Sequence, residues 1–220
     1  MPAIAADPQT VNAEQGDTRP IGRGWSHVFA AVAAIVLCPI VIVHSAGQRV
    51  EIALFAAGVI GLFTVSATYH RLAWGTRAHE LFRRLDHSMI YFTIAATHTP
   101  VLIVVLDGAA LVMMLVIAWT GAAVGAIVQS TWATPPRWLT VGSYAAVGWC
   151  VAPVVTRLWG LGVAAFVLLV AGGIIHSVGA LVYGIRRPDP FPRWFGFHEV
   201  FHALVVAAVA VHYVAIGVLI

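Results

Sequence analysis

Ser66 and His70 stand four residues apart, and so do His198 and His202. Residues four apart on a helix share a face. Two imidazoles at that spacing can grip one metal ion, and a third histidine from another helix completes a three-nitrogen site. A Zn²⁺ ion held by three protein ligands keeps its fourth position for water, the arrangement of a catalytic rather than a structural centre. Such an ion makes hydroxide available near neutral pH. Asp86 is the carboxylate placed to act as base or to orient that water. His70, His198 and His202 are therefore the candidate metal ligands, with Asp86 and Ser66 as candidate catalytic residues.

His198-Glu199-Val200-Phe201-His202 also fits H-E-x-x-H, in which the glutamate serves as general base. Here the string opens an apolar run after a Pro-rich loop. The two histidines are the favoured ligands, and Glu199 stays open as an interfacial carboxylate facing the adjoining loops. A plainer reading competes throughout. Histidines and aspartates at the ends of membrane spans can simply be solvated among headgroups. Asp86 follows Arg83 and Arg84 and can pair with them, and Ser66 can bond back to its own helix.

The elements that position these residues are hydrophobic. Of the 220 residues 60% are hydrophobic and 10% charged, against about 25% charged in soluble domains. That composition excludes a soluble fold. The expectation is an all-α polytopic membrane protein. Seven apolar runs, at 25–44, 52–72, 87–106, 109–129, 138–157, 160–184 and 200–220, each approach the roughly 20 residues a bilayer core requires. They are continuous rather than alternating, unlike the strands of a β-barrel. Pro153 lies inside the fifth run and is compatible with a kinked membrane helix.

All twelve cations are arginines. Ten (Arg19, Arg23, Arg71, Arg77, Arg83, Arg84, Arg137, Arg186, Arg187 and Arg193) fall on one side of a seven-span topology, and Arg49 and Arg157 on the other. Arginine excess marks the cytoplasmic face, so the N-terminus is expected inside and the C-terminus outside. The arginines flank apolar runs and form no single stripe, which argues against nucleic acid as a partner. Residues 1–24 read as a polar cytoplasmic tail without the apolar core of a signal peptide, and residues 25–220 as the membrane domain. Cys38 and Cys150 both lie in apolar runs, so neither a disulfide framework nor a cysteine metal site is expected.

The ten histidines sort by depth on this topology. His27 opens the first span as a supporting or interfacial residue. His44 and His79 read as interfacial or loop residues. His87 points about 100° away from its neighbour Asp86 on a helix. His98, His176 and His212 lie deeper and read as hydrogen-bonded helix contacts, with a buried proton or substrate path as the alternative. Trp25, Trp74, Trp138, Trp159 and Trp194 fall near span ends, as interface anchors do.

The chain resembles the bacterial hemolysin III proteins, within the wider progestin and adipoQ receptor family. The resemblance rests on Arg19-Pro20 and Arg23-Gly24-Trp25-Ser26-His27, on Ser66-Ala67-Thr68-Tyr69-His70, and on Arg83-Arg84-Leu85-Asp86-His87. It continues through Thr97-His98-Thr99-Pro100, where His98 stands in place of the more usual Tyr, and Gly179-Ala180-Leu181-Val182-Tyr183. It closes on Arg187-Pro188-Asp189-Pro190, on Phe195-Gly196-Phe197-His198-Glu199-Val200-Phe201-His202, and on His212. The resemblance implies seven helices with a cytoplasmic N-terminus. It implies Zn²⁺ held by His70, His198 and His202 near the inner face, with Asp86 binding or orienting the zinc water and Ser66 beside it.

Three functions compete. The first is a hydrolase of the bacterial plasma membrane, in which metal-activated water attacks a lipid amide or ester while Asp86 takes or relays a proton. The second is a non-catalytic sensor or lipid-homeostasis factor with structural zinc. The third is the channel-forming cytolysin of the family name. An enzyme requires an open fourth metal position and a cavity reaching lipid, a structural site a fourth protein ligand, and a channel a continuous polar pore.

Overall fold

The computed structural model describes residues 20–45, 47–72, 74–132, 135–160 and 162–219. Its named elements are all helical. They are α1 (Trp25–His44), α2 (Arg49–Arg71), α3 (Thr76–Val105), α4 (Gly108–Thr131), α5 (Arg137–Trp149), the single turn α6 (Ala152–Val155), a 3₁₀ helix (Thr156–Gly160), α7 (Val163–Ile185) and α8 (Phe197–Leu219). Among the described residues six helices, α1 to α4, α7 and α8, are long and apolar enough to cross a membrane.

The run at 138–157 is not one membrane-length helix. The α5 helix stops at Trp149 after 13 residues, about 20 Å of rise. Pro153 explains the stop. Its ring has no N–H to give and collides with the carbonyl four residues earlier, which is that of Trp149. Helix resumes as α6 with Pro153 in its first turn, where a missing N–H costs nothing. The expected kink is thus a break.

The third run errs in the other direction. Apolar counting starts it at 87, but α3 begins at Thr76, three turns earlier. Those turns are polar and carry their own ion pairs, with Glu80 accepting from Arg83 and Arg84 at 2.8 Å each.

Successive helices α1 to α4 pack side by side, α5 joins α3, α4 and α7, and α8 returns to α1 and α3 while making the most extensive pairing with α7. The packing follows from the solvent. Lipid gives no hydrophobic drive between helices, so small residues sit at contacts and let backbones approach. The buried face of α1 carries Ala30, Ala31, Ala34 and Cys38, while Phe29, Val32, Val36 and Val43 are exposed. Gly58 shows the same logic on α2. A Cβ there would lie 3.1 Å from Ala96 Cβ and 3.2 Å from Thr93 Cα. The resulting approach allows the Thr93 hydroxyl to donate to the Gly58 carbonyl at 2.9 Å.

The short α5 is held by polar groups. Tyr91 and Ser143 hydroxyls meet at 2.6 Å, and the Gln129 amide donates to the Thr140 hydroxyl at 2.9 Å. Residues 1–19 of the expected tail lie outside the described residues. Residues 20–24 pack on the loop before α8, with Ile21 N donating to Arg193 O at 3.0 Å and Gly22 N to Trp194 O at 2.9 Å.

Candidate metal centre

Two helices bring the predicted ligands together at one end of the bundle. His70 lies in the last turn of α2, and His198 and His202 occupy successive turns at the start of α8. Each offers one ligand atom, and the three atoms lie within 4.8 Å of one another. His70 Nε2 and His198 Nε2 are 3.4 Å apart. Two nitrogens each about 2.05 Å from one tetrahedral ion stand about 3.3 Å apart, so this pair already spans an edge of such a site. His202 is 2% exposed, and its Nδ1 is buried without a hydrogen-bond partner among the described residues. An unsatisfied imidazole in so costly a position agrees with a donor set built for a cation.

Asp86 joins from α3. Its Oδ2 lies 3.8 Å from His70 Nε2, too long for a hydrogen bond but within reach of a group held between the histidines. Ser66 lines the same chamber as Asp86, His198 and His202. All five predicted site residues therefore converge. The plainer alternative for Asp86 does not describe this structure, because Arg83 and Arg84 pair with Glu80 instead. His87 lines the same chamber as Asp86, and its Nδ1 donates to the Arg83 carbonyl at 2.8 Å.

Glu199 does not face the histidine cluster in the role H-E-x-x-H would give it. It is 2% exposed, and one oxygen takes the guanidinium of Arg23. The other accepts from Gly196 N at 2.8 Å. Gly196 immediately precedes α8, so the glutamate at the third helical position reaches back to the cap N–H, half of a capping box. Asp189 accepts from Phe197 N at 2.9 Å. Two carboxylates thus fix the start of the helix that carries two of the candidate ligands.

Three further residues shape the site. His27 lies flat on His202, with ring centroids 3.9 Å apart and planes at 6°. Tyr144 and Tyr183 line the small chamber that holds Asp86, His198 and His202. Tyr183 lies in a segment that carries the family resemblance, and Tyr144 belongs to the broken fifth run, where no spacing marks it. The chamber shares Leu62, Ile90, Tyr144, Ala180, Phe201 and Val205 with a neighbouring cavity of about 330 Å³.

The fold and site define an all-helical, multi-pass membrane protein with a histidine cluster at one end of its bundle. The family described as "Haemolysin-III related" matches residues 16–213, so the chain belongs to the haemolysin III family, within the progestin and adipoQ receptor superfamily. It is 31% identical over 199 residues to "Hemolysin-3" of Bacillus cereus, covering 86% of each chain. It is 27% identical to the human "Monocyte to macrophage differentiation factor", over 87% of this chain and 80% of the relative. Against the "Heptahelical transmembrane protein ADIPOR2" of rice it is 32% identical, over 76% and 80%.

Proposed function

We propose that this protein is a zinc-dependent hydrolase acting on a lipid amide or ester at the cytoplasmic face of the bacterial plasma membrane. The observation that carries the reading is the shared wall between the histidine chamber and the 330 Å³ cavity. An acyl chain in the cavity delivers its carbonyl to the histidines. His70, His198 and His202 would hold the ion, and Asp86 and Ser66 the proton chemistry. When bound, Zn²⁺ supplies a Lewis acid that polarises a carbonyl and acidifies water.

Asp86 accepts a proton from the attacking water and returns it to the leaving nitrogen or oxygen, acting as base and then acid. Ser66 donates to the Asp86 carboxylate and keeps it turned toward the histidines. Water adds to the carbonyl carbon, the C–N or C–O bond breaks, and the products are a carboxylic acid and an amine or alcohol.

The proposed topology has seven crossings, with the N-terminus inside. Residues 137–160, in helical pieces either side of the break after Trp149, make the fifth. The arginine asymmetry supports that orientation. The cavity wall, mostly aliphatic and aromatic, suits a lipid chain rather than a stream of ions.

The test is release of free fatty acid from defined lipid amides and esters by the purified, zinc-loaded protein in detergent or nanodiscs. Turnover of one class above a zinc-free control supports the reading. No release from any class by folded, zinc-loaded protein contradicts it.

A further inference from the structure

The 330 Å³ cavity extends away from the metal cluster and carries a second group of histidines in its wall: His98 of α3, His176 of α7 and His212 of α8. On α8, His212 lies ten residues beyond His202, about 15 Å along the helix. The rings of His176 and His212 are 5.4 Å apart at 32°. A Cβ at Gly172 would overlap the His212 ring, so the absence of a side chain there makes room for the imidazole.

The hydrogen bonds around the cavity have a consistent polarity. The Thr93 and Thr97 hydroxyls donate to main-chain carbonyls of α2 and α3. The Trp149 indole donates to Ser177, whose hydroxyl donates to the Gly173 carbonyl. His212 Nε2 donates to the Leu169 carbonyl at 3.2 Å. A carbonyl only accepts, so in the neutral ring Nδ1 of His212 is left as a lone pair. His176 and His98 stand in the same wall. His98 Nδ1 is buried with no partner among the described residues. The donors of Thr93, Thr97, Trp149, Ser177 and His212 are thus committed to the wall itself, and Nδ1 of His212 remains an acceptor.

A mostly apolar cavity with a few convergent acceptors recognises an apolar molecule that brings its own donor. Among the described residues, these three rings do not gather their nitrogens as His70, His198 and His202 do, which suits a hydrogen-bonding group better than an ion. We propose that the cavity takes a lipid chain bearing a hydroxyl group, and that the cluster of His98, His176 and His212 accepts that hydroxyl's one hydrogen bond through a ring nitrogen about 15 Å from the histidines at the end of the bundle. This rests on the reading of the cavity as a lipid site and deepens it to a class of chain.

The experiment measures binding of three C18 acids to the full-length protein in nanodiscs of saturated phosphatidylcholine. Octadecanoic acid is plain, 12-hydroxyoctadecanoic acid carries a donor at the matching depth, and 12-oxooctadecanoic acid carries only an acceptor there. The hydroxy acid is expected to bind about tenfold more tightly than the plain acid, and the oxo acid no more tightly than the plain acid. His98→Phe and His176→Phe are each expected to reduce the hydroxyl preference while keeping affinity for octadecanoic acid, which also reports that the variants are folded. Equal binding of the three acids by the natural protein overturns the proposal and leaves the lipid reading standing. An oxo acid that matches the hydroxy acid, or a preference that survives both substitutions, also overturns it. Binding of none of the three overturns the lipid reading of the cavity together with the proposal.

Discussion

His27 lies flat against His202, with ring centroids 3.9 Å apart and planes within 6° of parallel. One is a candidate ligand at the start of α8, and the other sits two residues into α1. The stack ties the orientation of a ligand ring to a helix that supplies no ligand. Groups that hold a ligand's ring in place typically matter about 10–100-fold in metal affinity. His27→Ala is expected to weaken zinc binding by about tenfold and His27→Phe, which keeps a flat ring, by much less. Competition with a chromophoric chelator measures both. Equal losses in the two variants would show that the imidazole acts through its nitrogens rather than by stacking.

Glu199 and Arg23 form a second tie between the same helix ends. Breaking a buried pair from one side leaves an uncompensated charge and costs about 3–5 kcal/mol. Arg23 is 21% exposed, so solvent screening puts the cost for Glu199→Gln at about 1–3 kcal/mol. The melting temperature should fall, while zinc stoichiometry and turnover per folded molecule hold. A folded Glu199→Gln protein with turnover lowered by about 100-fold or more would restore the H-E-x-x-H reading.

This pair marks a limit of what the sequence discloses. The i, i+4 histidines were legible because both members of the α8 pair lie on one helix. The role of Glu199 was not, because Arg23 is 176 positions away and meets it only once residues 20–24 dock on the loop before α8. The break at Trp149 was hidden for a different reason. Apolar composition registers residues that tolerate lipid, and the turn ahead of Pro153 is as apolar as the helix it ends. Counting also missed the polar turns of α3, which continue the helix beyond the apolar segment. The meeting of His98, His176 and His212 depends on the relative rotation of three helices, and periodicity within each helix does not set it.

Gly24 has φ 79° at the start of α1, and a Cβ there would lie 2.8 Å from His70 Cβ. A left-handed conformation costs a residue with a side chain about 1–2 kcal/mol. Gly24→Ala is expected to destabilise the protein by at least that amount and to weaken metal binding by displacing His70. Thermal melts with and without zinc check it. A variant indistinguishable from the natural protein in both would show that this approach does not constrain the ligand.

Asp86→Asn keeps the shape of the side chain and removes its charge. General acid–base groups contribute about 10²–10⁴-fold, so turnover of the lipid substrate should drop by about that factor with zinc retained. Ser66→Ala, which removes one hydrogen bond to the carboxylate, should cost less, about tenfold. The ratio of the two losses, measured on zinc-loaded protein, checks the order. A Ser66→Ala loss as large as that of Asp86→Asn would make the hydroxyl a direct participant.

The central claim is that His70, His198 and His202 hold a metal ion with Asp86 beside it. Metal content of the purified protein tests this most directly, comparing the natural chain with His202→Ala and Asp86→Ala. About one zinc per chain, lost in the His202 variant and kept in the Asp86 variant, is the predicted result. A folded natural protein that binds no zinc when supplied with it would contradict the account.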